Sequence, residues 1–192
     1  MTSIKEGLDA YNNEDYDKDL NILSPLAEEG NLEAQNTLGL MYDEGTGVTQ
    51  DYKEAVKWYK LAAEQGTAIA QYSLGMMYEE GKGVPQDFQV TGQLLFKLAA
   101  KQGNIDAQKH LGRMYDDGDG VPKDYKKAAQ LFRLAAEQGD INAQVNLGRL
   151  YREGNGVSQD YKEALRLFQL SAKQKHEGAY FNLSEMYYEG EG

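Results

Sequence analysis

The sequence predicts an all-α chain, a solenoid of about five helix–turn–helix repeats followed by one unpaired helix. Three observations carry that prediction. Ala-Gln pairs recur at Ala34, Ala70, Ala107 and Ala143, at spacings of 36, 37 and 36 residues, and Ala179-Tyr180 follows 36 later. Leu-Gly and Tyr recur in the same register, at Leu38-Gly39 and Tyr42, Leu74-Gly75 and Tyr78, Leu111-Gly112 and Tyr115, Leu147-Gly148 and Tyr151. Gly-x-Gly-Val begins at Gly45, Gly81, Gly118 and Gly154, and each is followed by Asp and an aromatic residue. Self-similarity at this period marks a unit that buries its apolar face only against its neighbours.

The first hairpin spans Ile4–Glu29. Its turn at Asn12–Glu14 is tight and lacks Gly-x-Gly-Val, and Pro25 lies inside its second helix, where a kink is expected. The next repeat sets the pattern. Ala34, Leu38, Met41 and Tyr42 share one face of a helix that Gly45 can end in the left-handed conformation. Asp51 then caps a second helix, with Glu54 placed as a capping-box partner, and Asp160 and Glu163 repeat the arrangement. That helix carries Ala55, Trp58, Tyr59 and Ala62 and stops at Gly66. Asn31, Thr67, Asn104 and Asp140 cap the first helices.

Gly39 and its equivalents lie inside helices, where glycine costs about 1 kcal/mol against alanine. The recurrence predicts a neighbouring helix too close for a Cβ. The second helix of the third hairpin, Asp87–Gln102, is one residue longer than its equivalents, so a bulge or shifted start is expected near Gln89–Gly92. The last repeat has Lys175 for its helix-ending glycine and Ser184 for its inner one. The motif breaks off at Gly190–Gly192, so either the chain continues or helix 177–189 caps the array. The domain is read as 1–192, divided at 1–30, 31–66, 67–103, 104–139, 140–176 and 177–192.

Composition removes several function classes. With no Cys there is no disulfide, thiol nucleophile or iron–sulfur cluster, and two His leave little for a metal site. A net charge of −11 argues against general nucleic-acid binding, and no apolar run is long enough to span a bilayer. Gly-x-Gly-Val follows a helix each time, not a strand, so it is no nucleotide loop. Asp117–Gly120 resembles a calcium loop only faintly, since Tyr115 and Lys126 fall where ligands should be acidic. No Gly-x-Ser-x-Gly or Ser-x-x-Lys motif occurs. His110 and His176 are expected to be exposed, and the recurring Tyr and Trp58 to pack in the core. No cofactor, metal or catalytic residue is expected.

The pattern Ala-Gln-x-x-Leu-Gly-x-Met-Tyr-x-x-Gly-x-Gly-Val-x-x-Asp-Tyr, complete at Ala34–Tyr52 and nearly so from Ala70, Ala107 and Ala143, resembles the Sel-one-like repeat of the tetratricopeptide-repeat superfamily. The resemblance covers essentially the whole chain. It implies a right-handed superhelix used as a protein-binding scaffold, with first helices lining the concave surface.

On that surface the repeats differ. Ile69, Tyr72 and Met76 make an apolar rung where polar residues are expected. Lys109, Arg113, Arg149 and Arg152 make a basic pair of rungs, with Asn146 and Asn182 beside them and Phe181 on the last helix. Arg can fork a carboxylate and Asn can hold peptide backbone, so these residues are candidates for gripping a partner peptide. The plainer reading is that the Arg side chains pair with Asp116 or Glu153. Residues 1–50 hold 2 Lys/Arg against 11 Asp/Glu, a net −9, either a solvated N-terminal cap or a surface for a basic partner.

The function expected is a non-enzymatic scaffold binding a protein or peptide in its groove. The alternative is an inhibitory or immunity protein that occludes a bacterial toxin or effector enzyme. A monomer is favoured. The compartment is cytoplasmic as the sequence stands, and periplasmic or secreted if a leader was removed.

Overall fold

The computed structural model describes residues 3–85 and 91–192. Among them the secondary structure is entirely helical: α1 Ile4–Asn12, α2 Tyr16–Glu28, α3 Leu32–Glu44, α4 Tyr52–Glu64, α5 Ala68–Glu80, α6 Gln93–Lys101, α7 Ile105–Asp117, α8 Tyr125–Glu137, α9 Ile141–Glu153, α10 Tyr161–Lys173 and α11 Glu177–Glu189. Consecutive helices pack as hairpins, and the chain forms two compact units, Met1–Ala99 and Ala100–Gly192.

The helix ends follow local chemistry. Asn31, Asn104 and Asp140 accept from the backbone N–H of Ala34, Ala107 and Ala143 at 2.8–3.0 Å. Thr67 makes no such bond; its hydroxyl donates instead to the Ala62 carbonyl at 2.9 Å. The capping boxes expected at Asp51 and Asp160 are absent. Both side chains do cap their helices, but the backbone N–H of Asp51 donates to the Tyr42 carbonyl and that of Asp160 to the Tyr151 carbonyl, each at 2.9 Å. With that donor already used, Glu54 and Glu163 turn to Lys57 and Arg166. A complete box forms at Ser3 and Glu6, opening α1.

α2 runs through Pro25 to Glu28. Of the irregularity expected at Gln89–Gly92, Gln89 and Val90 lie outside the described residues. Thr91 and Gly92 are wound as π-helix before α6, which is how a helix absorbs one extra residue. Lys175 keeps the left-handed turn of the glycine it replaces, at φ 64°.

The glycines inside the first helices have a single packing reason. A Cβ on Gly39 would lie 2.6 Å from the Tyr59 ring, and one on Gly75 2.6 Å from Phe96. On Gly112 and Gly148 it would lie 2.7 Å from Phe132 and Phe168. The second helices α4, α6, α8 and α10 therefore each set an aromatic ring against a first helix, and all four rings are buried. The buried glutamine of each Ala-Gln pair ties helices together: Gln35, Gln71 and Gln108 donate to the carbonyls of Ala27, Ala63 and Ala100 at 3.0–3.4 Å. Gln65 and Gln138 then donate back to Gln35 and Gln108 at 2.9 Å.

Three sequence expectations change. His110 is 9% exposed, because its place in α7 is the one Thr37 fills in α3, against the hairpin interior. Burial, then the Arg113 guanidinium, holds its imidazole below the ordinary pKa. His176 is half-buried and bonded through Nε2 to Asn142 Oδ1 at 3.0 Å. Tyr187 is exposed, since among the described residues no second helix packs on the side of α11 where Tyr42 and Tyr151 are covered.

Candidate interaction surface

In the first unit the face of α3 and α5 opposite the buried Ala–Leu–Met row carries Glu33, Asn36 and Leu40, then Ile69, Tyr72 and Met76. Ile69 is 59% exposed. Tyr72 is half-buried, its ring 5.8 Å from that of Phe96 and tilted by 48°, and Met76 is half-buried beside it. The aromatic pair holds the Tyr72 ring in a fixed orientation. On α3, burial, opposed by Lys82, raises the carboxyl pKa of Asp43.

In the second unit three of the four candidate cations, Lys109, Arg149 and Arg152, are engaged in ion pairs. Lys109 Nζ lies 3.0 Å from Asp106 and 2.9 Å from Asp140. Burial works against its ammonium, yet the two carboxylates keep its pKa above the ordinary value. Arg149 pairs with Asp116 across to α7 and with Glu153 at 2.9 Å on its own helix. Arg152 bridges to Glu185 of α11 at 2.7 Å and to Glu191 at 2.6 Å. Asn182 donates to the Gly178 carbonyl at 2.7 Å within its own helix. Asn146 is half-buried and Phe181 is exposed.

The basic rungs are thus a ladder of ion pairs joining α7, α9 and α11, and not an open anion site. The pairing of Arg149 with Asp116 and Glu153 follows the plainer reading of the sequence. The partners of Arg152 and Lys109 were missed, although the signal was present: Asp116–Arg149 and Arg152–Glu185 are each 33 residues apart, one helical turn short of the repeat. Arg113 differs. It is exposed, faces no carboxylate within ion-pair distance among the described residues, and lies 3.4 Å from His110 Nδ1.

A cleft along α8 and α10 is lined by Arg133, Glu137, Glu163, Arg166 and leucines, with Arg166 paired to Glu163 and Arg133 donating to Tyr151 at 2.8 Å. No group of three or more His, Asp or Glu among the described residues is placed to hold a metal ion. No described helix is long and apolar enough to cross a membrane.

The Sel1 repeat model matches residues 32–67, 68–104, 105–140, 141–176 and 178–192. This chain belongs to the Sel1 repeat family. Its fold is similar to the crystal structure of a Sel1 repeat protein from Oxalobacter formigenes, with 34% identity over 99% of this chain and 78% of that one, and a TM-score of 0.92. It is also similar to a protective antigen of uropathogenic Escherichia coli with an SLR fold, at 37% identity and TM-score 0.90. That match covers 97% of this chain but only 41% of that one. An immunity protein from Pseudomonas aeruginosa matches at 26% identity over 85% of this chain and 60% of that one, with a TM-score of 0.56. No curated protein matches the sequence significantly. Sel1 repeats mediate protein–protein interaction, and the glycines, buried glutamines and rings described above are the residues that build such a repeat.

Proposed function

We propose that this Sel1 repeat chain is a non-catalytic scaffold that docks a partner protein on the first-helix face of its N-terminal unit, with Ile69, Tyr72 and Met76 as the apolar anchor. The observation that carries the reading is Ile69. It stands exposed where the equivalent positions are Glu33, Asp106 and Asn142. An exposed isoleucine beside an oriented tyrosine and a methionine suits an apolar side chain of a partner.

Capture of partners on wild-type and Ile69→Glu baits, compared by mass spectrometry, tests it. Selective loss of one protein by the variant is expected, with affinity reduced by about 2 kcal/mol if the site is desolvated. Identical capture on both baits removes the rung from the function.

The likeness to the Pseudomonas aeruginosa immunity protein favours a second reading, in which the partner is a toxic bacterial effector enzyme that the chain occludes. That reading requires a single tight partner whose activity falls on binding. An adaptor binds several partners more weakly, and competition binding separates the two.

A further inference from the structure

The second helices of the repeat carry charge of the opposite sign to the rest of the chain. Helices α4, α6, α8 and α10 hold 11 of the 20 Lys and Arg residues but only 4 of the 31 Asp and Glu. In the second unit these residues form two matching exposed stripes. Along α8 the stripe is Lys126, Gln130, Arg133, Leu134 and Glu137. Along α10 it is Lys162, Arg166, Gln169, Leu170 and Lys173. The spacing sets each group on one face of its helix.

Internal pairing leaves most of this charge unused. Arg166 is held by Glu163 through two bonds of 2.7 and 2.8 Å. Arg133 donates to the Tyr151 hydroxyl, which fixes its direction without neutralising it. Among the described residues Lys126, Arg133, Lys162 and Lys173 form no ion pair. Leu134 and Leu170 are 48% and 37% exposed beside these cations. Between the stripes runs the cleft along α8 and α10, about 390 Å³, with Leu147, Leu167 and Leu170 among its lining residues.

The first unit repeats the construction. Lys60 and Leu61 are exposed on α4, and Leu94, Lys97 and Leu98 on α6. The cleft there, about 200 Å³, is lined by Lys60, Glu64, Leu95 and Leu98.

We propose that the cleft between α8 and α10 docks an acidic amphipathic helix of a partner protein. Leucine-like side chains of that helix enter the cleft, and its carboxylates meet Lys126, Arg133 and Lys162. Charge selects the occupant. The cations are gathered on this face in a chain of net charge −11, so an acidic partner is attracted here and repelled by residues 1–50. Glu137 and Glu163 stand in the two walls. They oppose a uniformly phosphate-coated surface, whereas a helix can set its carboxylates between them. From Lys126 to Glu137 the stripe is about 16 Å long, three turns of a partner helix. The Ile69 rung belongs to the other compact unit, so this surface is a second one and is tested apart from it.

The probe is a fluorescein-labelled peptide of about 14 residues, made of Glu, Ala and Leu at amphipathic helical spacing. Its control is a scrambled peptide of the same composition. Fluorescence anisotropy with the 192-residue chain should show saturable binding of the probe, and binding of the control at least about tenfold weaker. Arg133→Glu with Lys162→Glu should weaken the probe by about tenfold or more at unchanged circular dichroism. Lys126→Glu with Lys162→Glu, both at exposed sites without an ion pair, should do the same and guards against a folding effect of losing the Tyr151 bond. Ile69→Glu should leave the affinity unchanged. No saturation at millimolar chain, equal binding of the scrambled peptide, or indifference to both charge reversals would each overturn the proposal. So would tighter binding of phosphatidylglycerol vesicles or of a short DNA duplex that the same reversals abolish, since the face would then serve a membrane or a nucleic acid.

Discussion

At the residue scale the most informative side chain is Asp19. It is fully buried, and neither carboxylate oxygen has a hydrogen-bond partner. The repeat register explains why this is odd: Ala55, Ala128 and Ala164, all fully buried, occupy the same place in the first turn of α4, α8 and α10. Desolvation raises the Asp19 pKa to about 6. The unfolded chain ionises it near 4, so between those values only the folded state holds the proton and stability falls as pH rises. The penalty is complete above pH 6 and gone below about 4, with an upper size of about 3 kcal/mol. Asp19→Ala should therefore stabilise the protein at pH 7 by up to that amount and by little at pH 4, measured by urea denaturation at both values. Equal gains at both would show that folding leaves the Asp19 pKa where the unfolded chain has it. Gly112→Ala tests the opposite sign. Helix propensity favours alanine by about 1 kcal/mol, but a Cβ 2.7 Å from the Phe132 ring overpacks the hairpin and should cost about 1–3 kcal/mol net.

At the element scale the ion-pair ladder decides which probes of binding are clean. Arg149 is held against Asp116, whose carboxyl is largely buried and whose pKa is raised by burial against the pull of Arg149. Arg149→Glu places a second negative charge there and should lower stability by about 1–3 kcal/mol, seen as a lower denaturation midpoint. Arg113→Glu, with no carboxylate partner to lose, should leave the midpoint within about 0.5 kcal/mol of wild type. Loss of partner binding by Arg149→Glu alone would then reflect the scaffold and not a contact. The sequence made the helices legible because four hairpins repeat the same periodicity and ring-on-glycine packing, and the first sets Leu23 against Gly7 in place of the ring. Side-chain partners were less legible. The unused box at Asp51 depended on a backbone donor already committed to Tyr42, and the bridges of Arg152 depended on residues 33 and 39 positions away. Asp19 was visible as a departure from the register, but only packing shows what that departure does.

At the scale of the whole molecule, stability in a repeat chain is a sum of terms between adjacent elements. Each ring-in-glycine contact joins only the two helices of one hairpin, and the glutamine bonds reach only adjacent helices. A defect should therefore spread to its neighbours and fade, without lowering the protection of every helix equally. Gly112→Ala in the Ala100–Gly192 unit and Asp19→Ala in the Met1–Ala99 unit make a matched pair of perturbations. Hydrogen exchange read by mass spectrometry at pH 7 should show faster exchange in α7 and α8 for Gly112→Ala, a smaller change in α9, and none in α2 and α3. Asp19→Ala should slow exchange in α1, α2 and α3 and leave α9 and α10 unchanged. The double variant should combine the two patterns additively, because sites with no shared partners add within about 0.5 kcal/mol. A uniform shift of all helices by either substitution would mean that the chain unfolds as one cooperative body, and that the nearest-neighbour account of its stability is wrong.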